Sequence, residues 1–244
     1  VKMVRRGYDS QDERWFSQVE LEKLKQANHD ITWLINRGYK LEGSVTFVSN
    51  RFLFSNRQRE ALKRVICAST CCLKRMEKEL PLEQMKGKTL YIDGFNLIIT
   101  LEVALSGGTL VFGNDGNIRD LAGLRGSYRM IEETEQALQL LGQFLKRYEV
   151  SHVIFYLDAP VSNSKRLKSS ILSMMKAIPL SVEVELVPNA DVLLVNKEYV
   201  VSTDAAILDS CLSYFNLSKA IIRENQVSAM MVDFRMKERG SIDD

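Results

Sequence analysis

The chain has little of what commits a protein to histidine, disulfide or membrane chemistry. Histidine occurs only as His29 and His152, and cysteine only as Cys67, Cys71, Cys72 and Cys211. The cysteines show no paired framework spacing and suit a reducing cytoplasm. Cys67 and Cys71 stand one helical turn apart with Cys72 adjacent, too few ligands for a metal, and read as small buried hydrophobes. No apolar run approaches the ~18 residues that cross a bilayer, so no membrane partner is expected. Val1-Lys2-Met3-Val4-Arg5-Arg6 carries charge but lacks the apolar stretch of a secretory signal. Gly107-Gly108 and residues 113–116 fit neither G-x-G-x-x-G nor the P-loop, and that missing nucleotide loop counts against a small-molecule α/β enzyme. There are no repeats or low-complexity tracts.

What remains is ordinary soluble-protein material: 244 residues, 45% hydrophobic and 26% charged, enough for one large domain or two small ones. The net charge of +2 hides an asymmetry. Residues 1–88 hold 18 Lys/Arg against 11 Asp/Glu, a balance of +7, and residues 89–244 hold 15 against 20, a balance of −5. A basic first part suits a polyanion, and an acidic second part suits a cation-dependent site.

Hydrophobic periodicity predicts helices over 11–28, 30–36 and 56–80, the last capped by Ser55 and ended by Pro81, with 41–54 extended or looped. The domain boundary falls in the polar link 82–88. Beyond it, strands are predicted at 89–93, 152–157, 181–187, 199–202 and 218–222. Helices are predicted at 96–105, 127–148, 163–177, 191–196 and 204–215, with a hairpin at 109–112 and 117–121. A weakly amphipathic, polar tail follows at 225–244. This alternation implies an α/β fold, a mostly parallel sheet with helices on both faces, behind a small, mainly helical domain.

Asp93, Asp158, Asp191 and Asp204 fall where predicted parallel strands run out. Chemistry collects at that end of an open α/β sheet. Like charges at close range raise one another's pKa, so four carboxylates there call for a cation. Oxygen donors without a nearby histidine select Mg²⁺ or Mn²⁺. Each aspartate alone is equally well read as a helix cap or turn residue. Glu102 reads as lining the cleft or as solvated, and His152 as structural or surface.

Tyr91-Ile92-Asp93-Gly94-Phe95-Asn96 resembles the opening strand of PIN-like and NYN-type metal-dependent nucleases. Val153–Asp158 is similar to their second acidic strand, and Ser202-Thr203-Asp204 to their late Ser-x-Asp signature. Asp191 sits where they carry the acid of a middle helix. The hairpin and Gly123-Leu124-Arg125-Gly126-Ser127 resemble, more loosely, the substrate loop of the flap-endonuclease branch. The likeness covers about residues 89–222. The whole chain resembles an uncharacterised, mainly archaeal family joining a helical module to a PIN-like domain.

The resemblance implies a cytoplasmic nuclease with RNA preferred over DNA. The four aspartates would bind the metal, and Asn96 and Ser202 would position them. Ala206 stands where the flap-endonuclease branch has a further acid, which favours a single metal and leaves a degenerate binding or interaction module as the alternative. Substrate contacts are expected from Arg119, Arg125 and Arg129 around the glycine loop and from Lys165 and Arg166 past Asp158. Arg51, Arg57, Arg59, Lys63 and Arg64 surround Phe52 and Phe54, a basic-aromatic mixture suited to single strands. A homo-oligomer is compatible with all of this.

Overall fold

The computed structural model describes residues 5–124 and 126–235. The first part is helical: α1 (Asp12–Trp15), α2 (Gln18–Ile35), α3 (Leu41–Phe52), α4 (Asn56–Val65) and α5 (Ser69–Lys78). A 3₁₀ turn (Leu82–Met85) leads into β1 (Thr89–Asp93), α6 (Gly94–Leu105), β2 (Thr109–Phe112), β3 (Ile118–Asp120) and α7 (Glu132–Arg147). Then come β4 (His152–Asp158), α8 (Ser164–Met175), β5 (Ser181–Val187), α9 (Ala190–Leu194) and β6 (Val200–Val201). The last elements are α10 (Ala205–Ser210), α11 (Leu217–Glu224) and β7 (Met230–Val232).

The predicted α/β class holds. Four parallel strands lie in the order β5-β4-β1-β6. Side chains of α6, α7, α8 and α11 (Leu97, Leu141, Ile171 and Ile221 among them) share the main core with Ile92, Val153 and Phe155 of the sheet. A separate cluster joins Tyr156 and Val200 to Ala190 and Leu194 of α9 and to Ile207 and Leu208 of α10. The chain runs from β1 outward to β4 and β5 and returns on the other side of β1 as β6. The β1/β6 boundary is therefore a topological switch point, where open α/β sheets form their crevice.

A second sheet, β3-β2-β7, contains the predicted hairpin. Its Val111 and Val232, with Leu121 just past β3, join Leu24, Ile31, Val45 and Leu62 of the helical part in one hydrophobic cluster. Two ion-pair systems fasten the same contact. Arg57 donates to both oxygens of buried Asp12 at 2.9 and 2.7 Å and to the carbonyls of Leu121 and Gly7. Arg75 pairs with Asp115 at 2.9 Å and with Asp209 at 2.7 Å, and Asp115 also holds Arg119 at 2.6 Å.

Several expectations need correction. Residues 41–54 are mostly helix: α3 packs against α2 and α4, and that packing overrides the low helix propensity of Gly43, Val45 and Thr46. The long helix 56–80 breaks at extended Ile66, separating α4 from α5. Across this break Cys67 and Cys72 are joined as a disulfide, where the spacing had given no pairing. Residues 218–222 lie in α11, with Leu217, Ile221 and Ile222 buried at helical spacing. The end at 225–244, expected as a weakly amphipathic stretch and a polar tail, contributes β7. No helix among the described residues is long and apolar enough to cross a membrane.

Candidate metal and phosphate site

The site grows from the switch point. Asp93 ends β1 and caps α6, with the Asn96 backbone N–H donating to its Oδ1 at 3.4 Å. Helix α6 starts immediately after the strand because Gly94 lets it. A Cβ there would lie 2.5 Å from Leu157 Cδ2 and 3.2 Å from the Tyr156 carbonyl, so the glycine serves close packing on β4. The Ser202 hydroxyl, just past β6, donates to Asp93 Oδ2 at 2.8 Å and accepts from the Asp204 N–H at 3.1 Å. One hydroxyl thus ties both acids across the crevice.

Asn96 also bridges it, although not as expected. Its side-chain oxygen accepts from the Thr203 N–H at 2.9 Å and from the Thr203 hydroxyl at 3.2 Å, fixing the β6 exit rather than Asp93 itself. Thr203 was not singled out in the sequence; its signal was the polar Ser202-Thr203-Asp204 run directly after an apolar strand.

The other acids have mixed duties. Asp204 caps α10 through the N–H groups of Ala206 and Ile207 at 2.8 and 3.3 Å, all on Oδ1. Asp158 Oδ1 accepts from the Ala190 N–H at 2.8 Å and so sets the start of α9. Asp191 sits in the first turn of α9, which Asn189 caps. The capping readings are therefore correct for Asp204 and Asp93, and capping occupies only part of each carboxylate.

The electrostatics link all four. Burial pushes the Asp93 carboxyl up to about 7; the Ser202 and Asn96 hydrogen bonds oppose the rise, and the charges of Asp204 and Asp191 add to it. Asp191 is raised by burial and by the charges of Asp204 and Asp158. Even so, among the described residues no three His, Cys, Asp or Glu side chains converge closely enough to enclose a cation by themselves.

The expected substrate residues scatter. Helix α7 begins at Glu132, not Ser127, with Glu132, Glu133 and Glu135 in its first turn, which disfavours an anion there. Arg119 is buried on Asp115 and on the carbonyls of Thr203 and Arg64, so it is structural. Arg129 is exposed; Arg125 lies outside the described residues. Lys165 and Arg166 are exposed in the first turn of α8, just past Asp158.

In the helical part, Arg57 is engaged inside and Lys63 pairs with Glu42 and Glu60. Arg59 donates to the Phe54 carbonyl and Asn50, Arg64 is half-buried, and Arg51 is exposed. Phe54 is core and stacks on Phe52. Glu102 neither lines a cleft nor meets solvent: it is buried against Arg6, at 2.5 Å, with Tyr128 and Thr134 as hydrogen-bond partners. His152 is half-buried beside Glu183.

Residues 82–220, which include all four aspartates, match a family model described as "Domain of unknown function (DUF5616)". Residues 23–78 match a second, "Protein of unknown function (DUF434)". An uncharacterized protein of Methanocaldococcus jannaschii, MJ0935, is 38% identical over 187 residues, covering 77% of this chain and 89% of that one. No solved structure matches. With more than half its length under the first model, the chain belongs to the DUF5616 family.

Proposed function

We propose that the chain is a Mg²⁺- or Mn²⁺-dependent nuclease of PIN-like type, acting on RNA in preference to DNA at the β1/β6 crevice. The observation that carries this reading is the coupling of Asp93, Asp158, Asp191 and Asp204 at a topological switch point, with a buried Asp93 whose ionised form has no counter-charge of its own. Such a group of acids gains from a divalent ion.

The donor set fits a hard cation. All donors are oxygens, and capping and hydrogen bonding engage Oδ1 of Asp158 and Asp204, leaving their second oxygens for a ligand. Mg²⁺ is commonly held by one or two carboxylates and keeps several waters or substrate oxygens, so it would need only part of this set. When bound, the ion would supply a water of lowered pKa and offset charge building on the phosphorane oxygens.

The rest is done by the chain. Ser202 and Asn96 tie the two walls of the crevice together, an arrangement that would present Asp93 and Asp204 to one phosphate. Asp158 and Asp191 complete the acidic rim. Lys165, Arg166 and Arg129 are exposed on neighbouring segments, joined by the Asn163–Tyr128 hydrogen bond, and would offer cations for backbone phosphates. The preference for RNA rests on the resemblance of the Asp93, Asp158 and Ser202–Asp204 segments to PIN-like and NYN-type nucleases.

The test is cleavage of labelled single-stranded and structured RNA and DNA with Mn²⁺, Mg²⁺ or EDTA, beside Asp93→Asn and Asp204→Asn. Asparagine keeps the cap at position 204 while removing the charge. Cleavage lost in EDTA and in both variants is the expected result. Binding without cleavage under every metal would leave only a degenerate binding module, with Ala206 in place of a further acid.

A further inference from the structure

Helices α2 and α3 enclose an open cleft of ≈ 750 Å³ in the basic helical part, well away in sequence from the acids. Its size is that of a small-ligand site. Leu34 and Val48 contribute apolar surface, and His29 and Asn50 contribute polar groups. Two large aromatics line it while staying exposed to solvent: Trp33 is 50% and Phe47 is 75% exposed. Burying those rings would have been the ordinary outcome for residues of this size.

The charge around the rings is of one dominant sign. Arg37 lies with its guanidinium 3.6 Å over the Trp33 ring and is exposed. Arg51 lines the cleft and is exposed, with Asp30 its nearest carboxylate at 3.8 Å, too long for a strong pair. Arg59 reaches the cleft residue Asn50 at 3.0 Å, and both its bonds are to neutral oxygens. Asp30 is the sole carboxylate among the lining residues. Of the basic residues expected around Phe52 and Phe54, only Arg51 lines this cleft and Arg59 borders it, beside the rings of Trp33 and Phe47.

Exposed π-faces with one guanidinium in the cleft and two at its border match a chain of bases and phosphates better than they match an apolar helix, which has no use for these arginines. We infer that the α2–α3 cleft binds single-stranded nucleic acid, with bases stacked on Trp33 and Phe47 and phosphates on Arg37, Arg51 and Arg59. The inference rests on the nucleic-acid reading of the acidic crevice for the identity of the polymer, and uses none of that crevice's residues.

The experiment uses the full chain carrying Asp93→Asn, in EDTA, so that binding is read without turnover. Fluorescence polarisation of a labelled oligo(U) or oligo(dT) gives the affinity, and quenching of tryptophan emission reports contact with the ring. Trp33→Leu and Phe47→Ala are each expected to weaken binding roughly 5- to 150-fold, with Trp33→Leu also removing the quench. Arg51→Ala is expected to flatten the plot of log affinity against log salt by about 0.7. These side chains are exposed, so unchanged melting temperatures verify the fold. Binding that is indifferent to both ring substitutions overturns the inference, even if the unsubstituted protein cleaves RNA. Equal affinity for a free mononucleotide overturns the strand and leaves a nucleotide pocket. Loss of cleavage on acid substitution with binding intact would separate this cleft from the acidic crevice.

Discussion

Replacing Asp93 by Asn should stabilise the fold at alkaline pH and leave it much less affected in acid. Asp93 has a carboxyl pushed up to about 7 from an ordinary 3.8 by burial and by the charges of Asp204 and Asp191. The sign follows from linkage: a raised acid disfavours its ionised form in the folded state. The cost is absent below the unfolded pKa, grows as pH rises, and is complete above the folded pKa. At 1.36 kcal/mol per pKa unit the full cost is about 4 kcal/mol, and between pH 5 and 8 it grows by roughly 3 kcal/mol. Asn removes that pH-dependent part while nearly keeping the shape. Its amide can still accept from Ser202 through one atom, and the weaker Asn96 contact of 3.4 Å loses its acceptor. That loss costs about 1 kcal/mol at either pH and cancels from the comparison. The readout is thermal or denaturant unfolding of both proteins at pH 5 and pH 8. The variant's advantage should widen by roughly 6–10 °C across that interval. Added Mg²⁺ should narrow it again, because a cation favours the ionised wild-type carboxylate. A difference that does not change with pH, or a variant that loses stability as pH rises, would refute the reasoning.

Three further outcomes are expected. Burial pushes the Asp115 carboxyl up, but the hydrogen bonds and charges of Arg119 and Arg75 outweigh it and hold it at about 2. Its contribution is therefore present above pH 3.8 and lost as pH falls toward 2, about 2 kcal/mol in an acid titration monitored by circular dichroism. Asp115→Ala should remove that acid-labile part and destabilise the protein by roughly 3–5 kcal/mol at neutral pH, by leaving Arg119 and Arg75 short of a buried partner. Thiol titration of the unreduced, denatured chain should find only Cys71 and Cys211 free, with Cys67 and Cys72 appearing after reduction. Four reactive thiols before reduction would contradict the pairing.

Much of the sheet was legible because β1 and β4 are short apolar runs ended by an acid, a local signal. The same signal placed the four aspartates at one end of the sheet. Helix α3 was not legible: Gly43-Ser44-Val45-Thr46 is a poor helix former, and only contacts with α2 and α4 decide it. Helix α11 was misread because Ala-Ile-Ile is an apolar run too short to separate strand from helix by periodicity. The pairings that fix the site and fasten the helical part are long-range. Asn96 to Thr203 spans 107 positions and Arg75 to Asp209 spans 134, and no local pattern announces either. The misplaced substrate arginine has the same cause, since nothing near Arg119 in sequence signals that the buried Asp115 and the Thr203 carbonyl claim its guanidinium.

The most direct measurement is a Mn²⁺ titration followed by electron paramagnetic resonance, on the wild type and on Asp93→Asn and Asp204→Asn. If the acidic crevice is a cation site, the wild type should bind at neutral pH, Mg²⁺ should compete, and each substitution should weaken the binding sharply. Equal Mn²⁺ affinity in all three proteins, or none in the wild type, would contradict a metal at the β1/β6 crevice.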